Sequence, residues 1–202
     1  VILLDDIVSY MPSPESRKIA GVNMKTKEIF EANYDFAKAK SAFIFKTIVD
    51  PFIGKYSMIK IASGVIKSDD TLYNEARDEE DRISKLYVFE GSRPIEVKEL
   101  HAGDIGAIGK LDAATGDTLS TKANPIAYGK IEVSTPYTYK RYRAKLKGEE
   151  DKVAQALAKM AQEDLTIKVV NDGENRQTLL YGMGDQHLEI VAAKLLNKYK
   201  VE

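Results

Sequence analysis

A change of hydrophobic period near residue 136 is the feature that most constrains the fold of this chain. Between about residues 41 and 134 the apolar residues come in short strand-like runs, the clearest being Ala42-Phe43-Ile44-Phe45-Lys46-Thr47-Ile48-Val49. β-Branched and aromatic side chains of this kind suit a pleated, half-buried surface. Further runs occur at Met58–Val65, Thr71–Asn74, Lys85–Glu90, Asp104–Gly109 and Ile126–Ser134. Turn-forming stretches separate them: Asp50-Pro51-Phe52-Ile53-Gly54, Gly91-Ser92-Arg93-Pro94, His101-Ala102-Gly103-Asp104 and Thr115-Gly116-Asp117. Short strands punctuated this often, with no helix between them, predict a small all-β barrel, assigned to residues 41–125.

Beyond residue 136 the pattern becomes mixed. Tyr137–Lys147 is expected to be a strand that turns Tyr142, Ala144 and Leu146 toward a core. Glu149–Glu163 has helical spacing, with Val153, Ala156, Leu157 and Met160 on one stripe. Leu165–Val170 and Thr178–Tyr181 read as strands about a turn at Asn171-Asp172-Gly173. Gly184–Tyr199 is predicted to be a second helix that buries Leu188, Val191, Ala192, Leu195 and Tyr199. The order β-α-β-β-α is one strand short of a ferredoxin-like α+β sandwich, assigned to 126–202, and the last strand is expected to begin near Lys200-Val201-Glu202. The fold class is therefore multi-domain, β followed by α+β, with a linker around Ala123–Gly129.

At the front, Leu4, Ile7, Val8 and Met11 share one helical face, and Pro12-Ser13-Pro14 stops the helix. So short a helix has no reason to be stable alone in water, so a partner outside these residues is expected for it. Residues 15–40 are polar and read as a linker or a mobile hairpin. Val1 at the start and Val201-Glu202 at the end both read as cut ends.

Several chemistries are excluded by what the chain lacks. Thirty Lys and Arg stand against 31 Asp and Glu, so RNA contact must come from a local patch rather than from net charge. With no cysteine there is neither a disulfide nor a thiolate site, which suits a cytoplasmic location. No run of about 18 apolar residues occurs, so no membrane span is expected. A P-loop needs Gly, four residues, then Gly-Lys-Ser/Thr. Here Gly54-Lys55, Gly109-Lys110 and Gly129-Lys130 are followed by Tyr56, Leu111 and Ile131, and Val49, Asp104 and Asn124 stand where the first glycine belongs. The chain is thus not expected to hydrolyse GTP itself. Gly182-Met183-Gly184 lacks the third glycine of a dinucleotide-binding turn and any βαβ setting, so it reads as a tight turn before a helix. His101 and His187 are the only histidines and fall in different predicted domains, so no metal site is expected. Glu149-Glu150-Asp151 complements a helix N-terminus, and the acidic run Glu75–Asp81 reads as a solvated hairpin loop.

One segment is basic and interleaved with aromatics, Tyr139–Lys147. On a strand, Arg141, Arg143, Lys145 and Lys147 would share one face, as a phosphate-contacting surface or as a merely solvated one. An RNA-recognition motif has the same element order, but Thr178-Leu179-Leu180-Tyr181 lacks the glycine-aromatic signature of its third strand.

Specific motifs carry the reading further. Phe45-Lys46-Thr47-Ile48-Val49-Asp50-Pro51-Phe52-Ile53-Gly54-Lys55, then Ser63-Gly64, His101-Ala102-Gly103-Asp104 and Thr115–Leu119, closely resemble the second domain of elongation factor G. Gln155-Ala156-Leu157 through Glu163-Asp164, then Gln177 and Gly182-Met183-Gly184-Asp185-Gln186-His187-Leu188, resemble its third domain. Leu3-Leu4-Asp5 to Pro14 resembles the helix and loop that close the GTPase domain, so residues 1–40 are assigned to that helix plus a linker. The resemblance implies a ribosome-dependent GTPase as parent, using GTP with Mg2+ and assisting translocation of tRNA and mRNA, while this segment holds no cofactor. It implies a barrel resting on small-subunit ribosomal RNA and on the switch regions, with Gly54 and Lys55 at that surface. It also implies that Gly184, Asp185, Gln186, His187 and Leu188 face the GTPase domain, near the pocket used by fusidic acid. The implied partners are ribosomal RNA, ribosomal proteins and the GTPase domain, and none of these residues is catalytic.

Three departures point to alternatives. The family usually has a basic run where this chain has Glu75–Asp81, Gly-Glu-Leu-His-Leu where it has Gly184-Asp185-Gln186-His187-Leu188, and proline at Leu165. An elongation-factor-G-like paralogue acting in ribosomal protection or recycling therefore stands beside the translocase. A free-standing RNA-binding or protein-interaction module is the alternative of a different class.

Overall fold

The computed structural model describes residues 2–50, 54–175 and 177–202, which divide into two compact units, 1–131 and 132–202. In the first unit, helix α1 (Ile2–Tyr10) precedes a hairpin of β1 (Ala20–Asn23) and β2 (Ile29–Glu31). There follow β3 (Ser41–Asp50), β4 (Gly54–Ser63), β5 (Val65–Lys67), β6 (Thr71–Asn74), β7 (Glu79–Arg82), β8 (Leu86–Glu90) and β9 (Arg93–Val97). β10 (Glu99–His101), β11 (Ile105–Gly109), β12 (Thr118–Ser120) and β13 (Ile126–Ala127) complete it.

Eight of these strands form one antiparallel sheet in the order β7-β6-β12-β3-β4-β11-β8-β9, with β5 and β10 paired separately. Leu72 near one edge and Leu86 near the other belong to one buried cluster with Ile44, Ile59, Ile61 and Leu119. Residues from both ends of a sheet can share a core only if the sheet curls, which gives the expected barrel. Backbone bonds help to seal it: Asp69 N–H donates to the Ile83 carbonyl at 2.7 Å and Ser68 N–H to that of Lys98 at 2.8 Å. The β3–β4 register slips between Ile44 and Lys46, so Phe45 is the extra residue of a bulge.

Several strands escaped the sequence reading. Glu79–Arg82, which overlaps the end of the run Glu75–Asp81 read as a hairpin loop, is the edge strand β7, and charge on an exposed edge discourages further pairing. Arg93-Pro94, read as part of a turn, lies in the opposite edge strand β9, where a proline without an N–H is tolerated. β10 and β12 are only three residues long, too short for a periodic signal. Of the two readings of residues 15–40, linker or hairpin, the structure has the hairpin, β1 with β2, and β1 also pairs with β13. The strand expected over 126–134 stops at Ala127, and residues 126–131 fall in the first unit rather than with the α+β part.

The second unit runs β14 (Thr138–Tyr142), α2 (Glu150–Glu163), β15 (Lys168–Asp172), β16 (Gln177–Gly182) and α3 (Asp185–Lys194), with a π-helical turn over Leu195–Tyr199. Its antiparallel sheet has the order β14-β16-β15, the 1-3-2 arrangement of a ferredoxin-like fold. Val153, Ala156, Leu157 and Met160 of α2 meet Leu188 and Val191 of α3 and Leu180 of β16 in one core. The predicted strand over 137–147 ends at Tyr142. Tyr142 and Ala144 pack on the core as expected, but Leu146 is 61% exposed, because the alternation that would bury it ends with the strand. Ala192 is also exposed, since the core needs only the stripe of Leu188 and Val191 there. No strand forms at 200–202, yet Val201 is buried and Lys145 N–H donates to the Glu202 carbonyl at 2.7 Å, so the backbone there runs beside the segment after β14.

Candidate functional site

The turn from β16 into α3 places Gly184, Asp185, Gln186, His187 and Leu188. Gly182 sits tightly against this turn: a Cβ built on it lies 2.8 Å from Leu188 Cδ2 and 3.1 Å from His187 Nδ1, so any side chain there would force one of them to shift. Leu188 is buried in the core of the second unit. His187 accepts a hydrogen bond from the Met183 amide on Nδ1 at 3.1 Å, which puts its proton on Nε2, facing Asp164 Oδ2 at 3.2 Å. Asp164 also accepts from the Thr166 amide at 2.9 Å and the Thr166 hydroxyl at 2.5 Å. Burial works against ionisation of Asp164, but these Thr166 bonds and His187 together hold its carboxyl below the ordinary range. The result ties the start of α3 to the end of α2. His187 and Leu188 thus face inward, while Asp185 and Gln186 are exposed and nothing lies within 4 Å of a Cβ built on Gly184. Asp185 meets Lys140 at 2.9 Å on the surface. What this segment offers outward is a small, rigidly mounted turn. The His187–Asp164 tie spans 23 positions, and no local spacing in the sequence announces it.

Gly54 and Lys55 lie in the other unit, at the start of β4. Gly54 has φ +98°, which L side chains rarely adopt. Lys55 Nζ donates to the Ala113 carbonyl at 3.0 Å and lies 3.7 Å from Asp112 Oδ1. Asp112 is bridged in turn by Arg77 at 2.8 Å, and that guanidinium holds its carboxyl below the usual range. Lys55 thus secures the loop at 112–113 to the hairpin. The residues read as the tip of this turn, Pro51, Phe52 and Ile53, lie outside the described residues.

Arg141, Arg143, Lys145 and Lys147 line one groove of 990 Å³ beside the start of α2. Only Arg141 is in a strand, so the groove gathers these cations without the extended strand the sequence suggested. Lys145 is paired with Glu202 at 2.7 Å. Among the described residues Arg141, Arg143 and Lys147 have no carboxylate within ion-pair distance, although Glu150 and Asp151 also line the groove. Unpaired guanidinium groups in a concave surface suit phosphate oxygens.

No group of three or more metal-ligating side chains occurs among the described residues, and no described helix is long and apolar enough to cross a membrane.

The chain thus carries a curled antiparallel barrel followed in sequence by a ferredoxin-like unit. Residues 39–122 match the family model described as elongation factor G domain 2, and residues 133–202 match that of elongation factor G domain III. The chain belongs to the elongation factor G family. It is also similar to a crystal structure of ttk003000868 from Thermus thermophilus, with a TM-score of 0.76 and 27% identity. That match covers 100% of this chain and 28% of the Thermus chain, so this chain spans little more than a quarter of its length.

Proposed function

We propose that this chain is the ribosome-binding, switch-sensing part of a translational GTPase that promotes movement of tRNA and mRNA during elongation. The observation that carries the reading is the tandem match: domain 2 and domain III of one family, in the family's order. In this reading GTP and Mg2+ are bound by a separate GTPase domain in the cytoplasm, and α1 is the helix that closes it. The apolar residues Ile2, Leu3, Val8 and Tyr10 on α1 are all more than 60% exposed, as expected of a helix that packs against such a domain.

Gly184, Asp185 and Gln186 form the surface that meets the GTPase domain. His187 and Leu188 act behind it by fixing the turn, and Gly54 and Lys55 shape the barrel's own contact. Arg141, Arg143 and Lys145 supply the phosphate contacts. Because Asp185-Gln186 replaces the commoner Glu-Leu of this motif, a role in ribosomal protection or recycling is the second reading.

Co-sedimentation of the chain with purified ribosomes across a salt series tests the proposal. Weak binding that falls steeply with salt is expected. Arg141→Glu with Arg143→Glu should flatten the slope of log affinity against log salt by about 1 to 2, since each phosphate contact contributes somewhat under one. A slope and affinity unchanged by the double substitution would remove this groove from the interface.

A further inference from the structure

A second concave site lies wholly within the first unit, away from the residues given a role above. It is a cavity of 560 Å³, within the range of about 300–1,000 Å³ typical of small-molecule sites. Tyr34, Phe43, Phe45 and Tyr128 supply aromatic walls, and Arg17, Lys18 and Lys60 are its charged members, with no Asp or Glu among the lining residues. Among the described residues none of these three cations has a carboxylate within ion-pair distance.

Two features show that the cavity is built rather than incidental. Tyr128 is fixed, its hydroxyl 2.6 Å from Ser41 Oγ, with Ser41 in turn 2.5 Å from Ser63 Oγ. Tyr34 is only 6% exposed, yet its buried hydroxyl has no hydrogen-bond partner. A buried phenol left unpaired is costly, so this hydroxyl has a hydrogen bond still to make. Tyr34 also has φ +56°, a conformation uncommon outside glycine, and is held there by its amide bond to the Ala62 carbonyl at 3.0 Å. The Lys60 ammonium lies 5.1 Å from the centre of the Tyr34 ring.

Aromatic walls stack on any base, a phenolic hydroxyl can donate to or accept from a base edge, and unpaired cations meet phosphate. A purely apolar partner would leave both the hydroxyl and the cations unanswered. We infer that this cavity of the barrel unit binds a nucleotide, its base against Tyr34 and Phe45 and its phosphate at Arg17, Lys18 and Lys60. The same chemistry is offered by a free mononucleotide and by an unpaired nucleotide of a single-stranded RNA.

Amide-shift titration of the full chain separates these sources, with UMP and AMP in one arm, uridine in a second and a single-stranded hexauridylate in a third. Saturable shifts at Ala62, Ile105 and Gly129 with mononucleotides identify a free-nucleotide site. The same shifts with the hexamer alone identify a strand-borne nucleotide. Uridine should bind at least several-fold more weakly than UMP. Lys60→Gln and Tyr34→Phe should each weaken binding about three- to tenfold, as loss of one hydrogen bond or charge contact does, with the melting temperature near that of the parent for Lys60→Gln and at or above it for Tyr34→Phe. No saturable shift at these amides in any arm, or binding untouched by both substitutions, overturns the inference. Lys60→Gln alone decides the matter if Tyr34→Phe fails to fold.

Discussion

Replacing Asp164 by Asn tests whether the α3 turn is held as the geometry requires. The Asn carbonyl can still accept from the Thr166 amide and hydroxyl, now at 2.9 and 2.5 Å from Oδ1. What is lost is the acceptor facing His187 Nε2 at 3.2 Å, replaced by an NH2 group. His187 cannot answer by moving its proton, because Nδ1 is occupied as acceptor of the Met183 amide. Two donors then face each other. A hydrogen bond to a charged group contributes about 1.5–3 kcal/mol. With side chains 35% exposed at Asp164 and 20% at His187, solvent screening brings the expected loss to about 1–2 kcal/mol. The loss belongs to the second unit alone, so the assay must resolve the units, and native-state hydrogen exchange does so. Amides of the second-unit core residues Leu157 and Val191 should exchange about 5- to 30-fold faster, while those of Ile59 and Ile61 in the barrel keep their rates. Less than a twofold change at Leu157 and Val191, or an equal change in both units, would refute the tie between α2 and α3.

Gly182→Ala should destabilise the second unit by about 1–3 kcal/mol, because Leu188 or His187 must shift to admit the methyl group; a urea titration at parental stability would contradict that packing. Acid should show the same tie. Since Asp164 titrates below its usual 3.8, its stabilising contribution is complete above that pH and is lost as pH falls through the lower folded value. Acid unfolding of the second unit should therefore be less steep in Asp164→Asn, and identical profiles would count against it. Leu157→Ala, at a fully buried position, should cost about 2–5 kcal/mol in the second unit and nothing in the barrel, measured by the same exchange experiment. Incubation of the pure chain with GTP and Mg2+ should release no phosphate, and measurable turnover would refute the motif reading of its Gly-Lys pairs.

The long elements were legible because their periodicity is itself the consequence of burial. Val153, Ala156, Leu157 and Met160 define α2 as plainly in sequence as in the core they occupy. Short and edge strands were not legible: β7 is charged for being an edge, and Pro94 sits in β9 because an edge tolerates it. Alternation misled over Arg143–Lys147, where the period-two pattern continues although the strand has ended and Leu146 turns to solvent. For the candidate surfaces, the motif at 184–188 was legible as a turn into a helix, but sequence cannot divide it into the exposed Asp185 and Gln186 and the inward His187 and Leu188. That division depends on Asp164, 23 positions away. The cavity around Tyr34 was invisible for the same reason, since its walls come from residues between 17 and 129 that no single motif joins.

Hydrogen–deuterium exchange of the chain, alone and with a saturating excess of ribosomes at low salt, tests the account most directly. Slowed exchange is predicted over the segment from Arg141 to Lys147 and around Gly54 and Lys55, with the α2 core amides unchanged. Uniformly unaltered exchange, or slowing confined to surfaces outside these segments, would contradict a ribosome-facing role for this part of the elongation factor G fold.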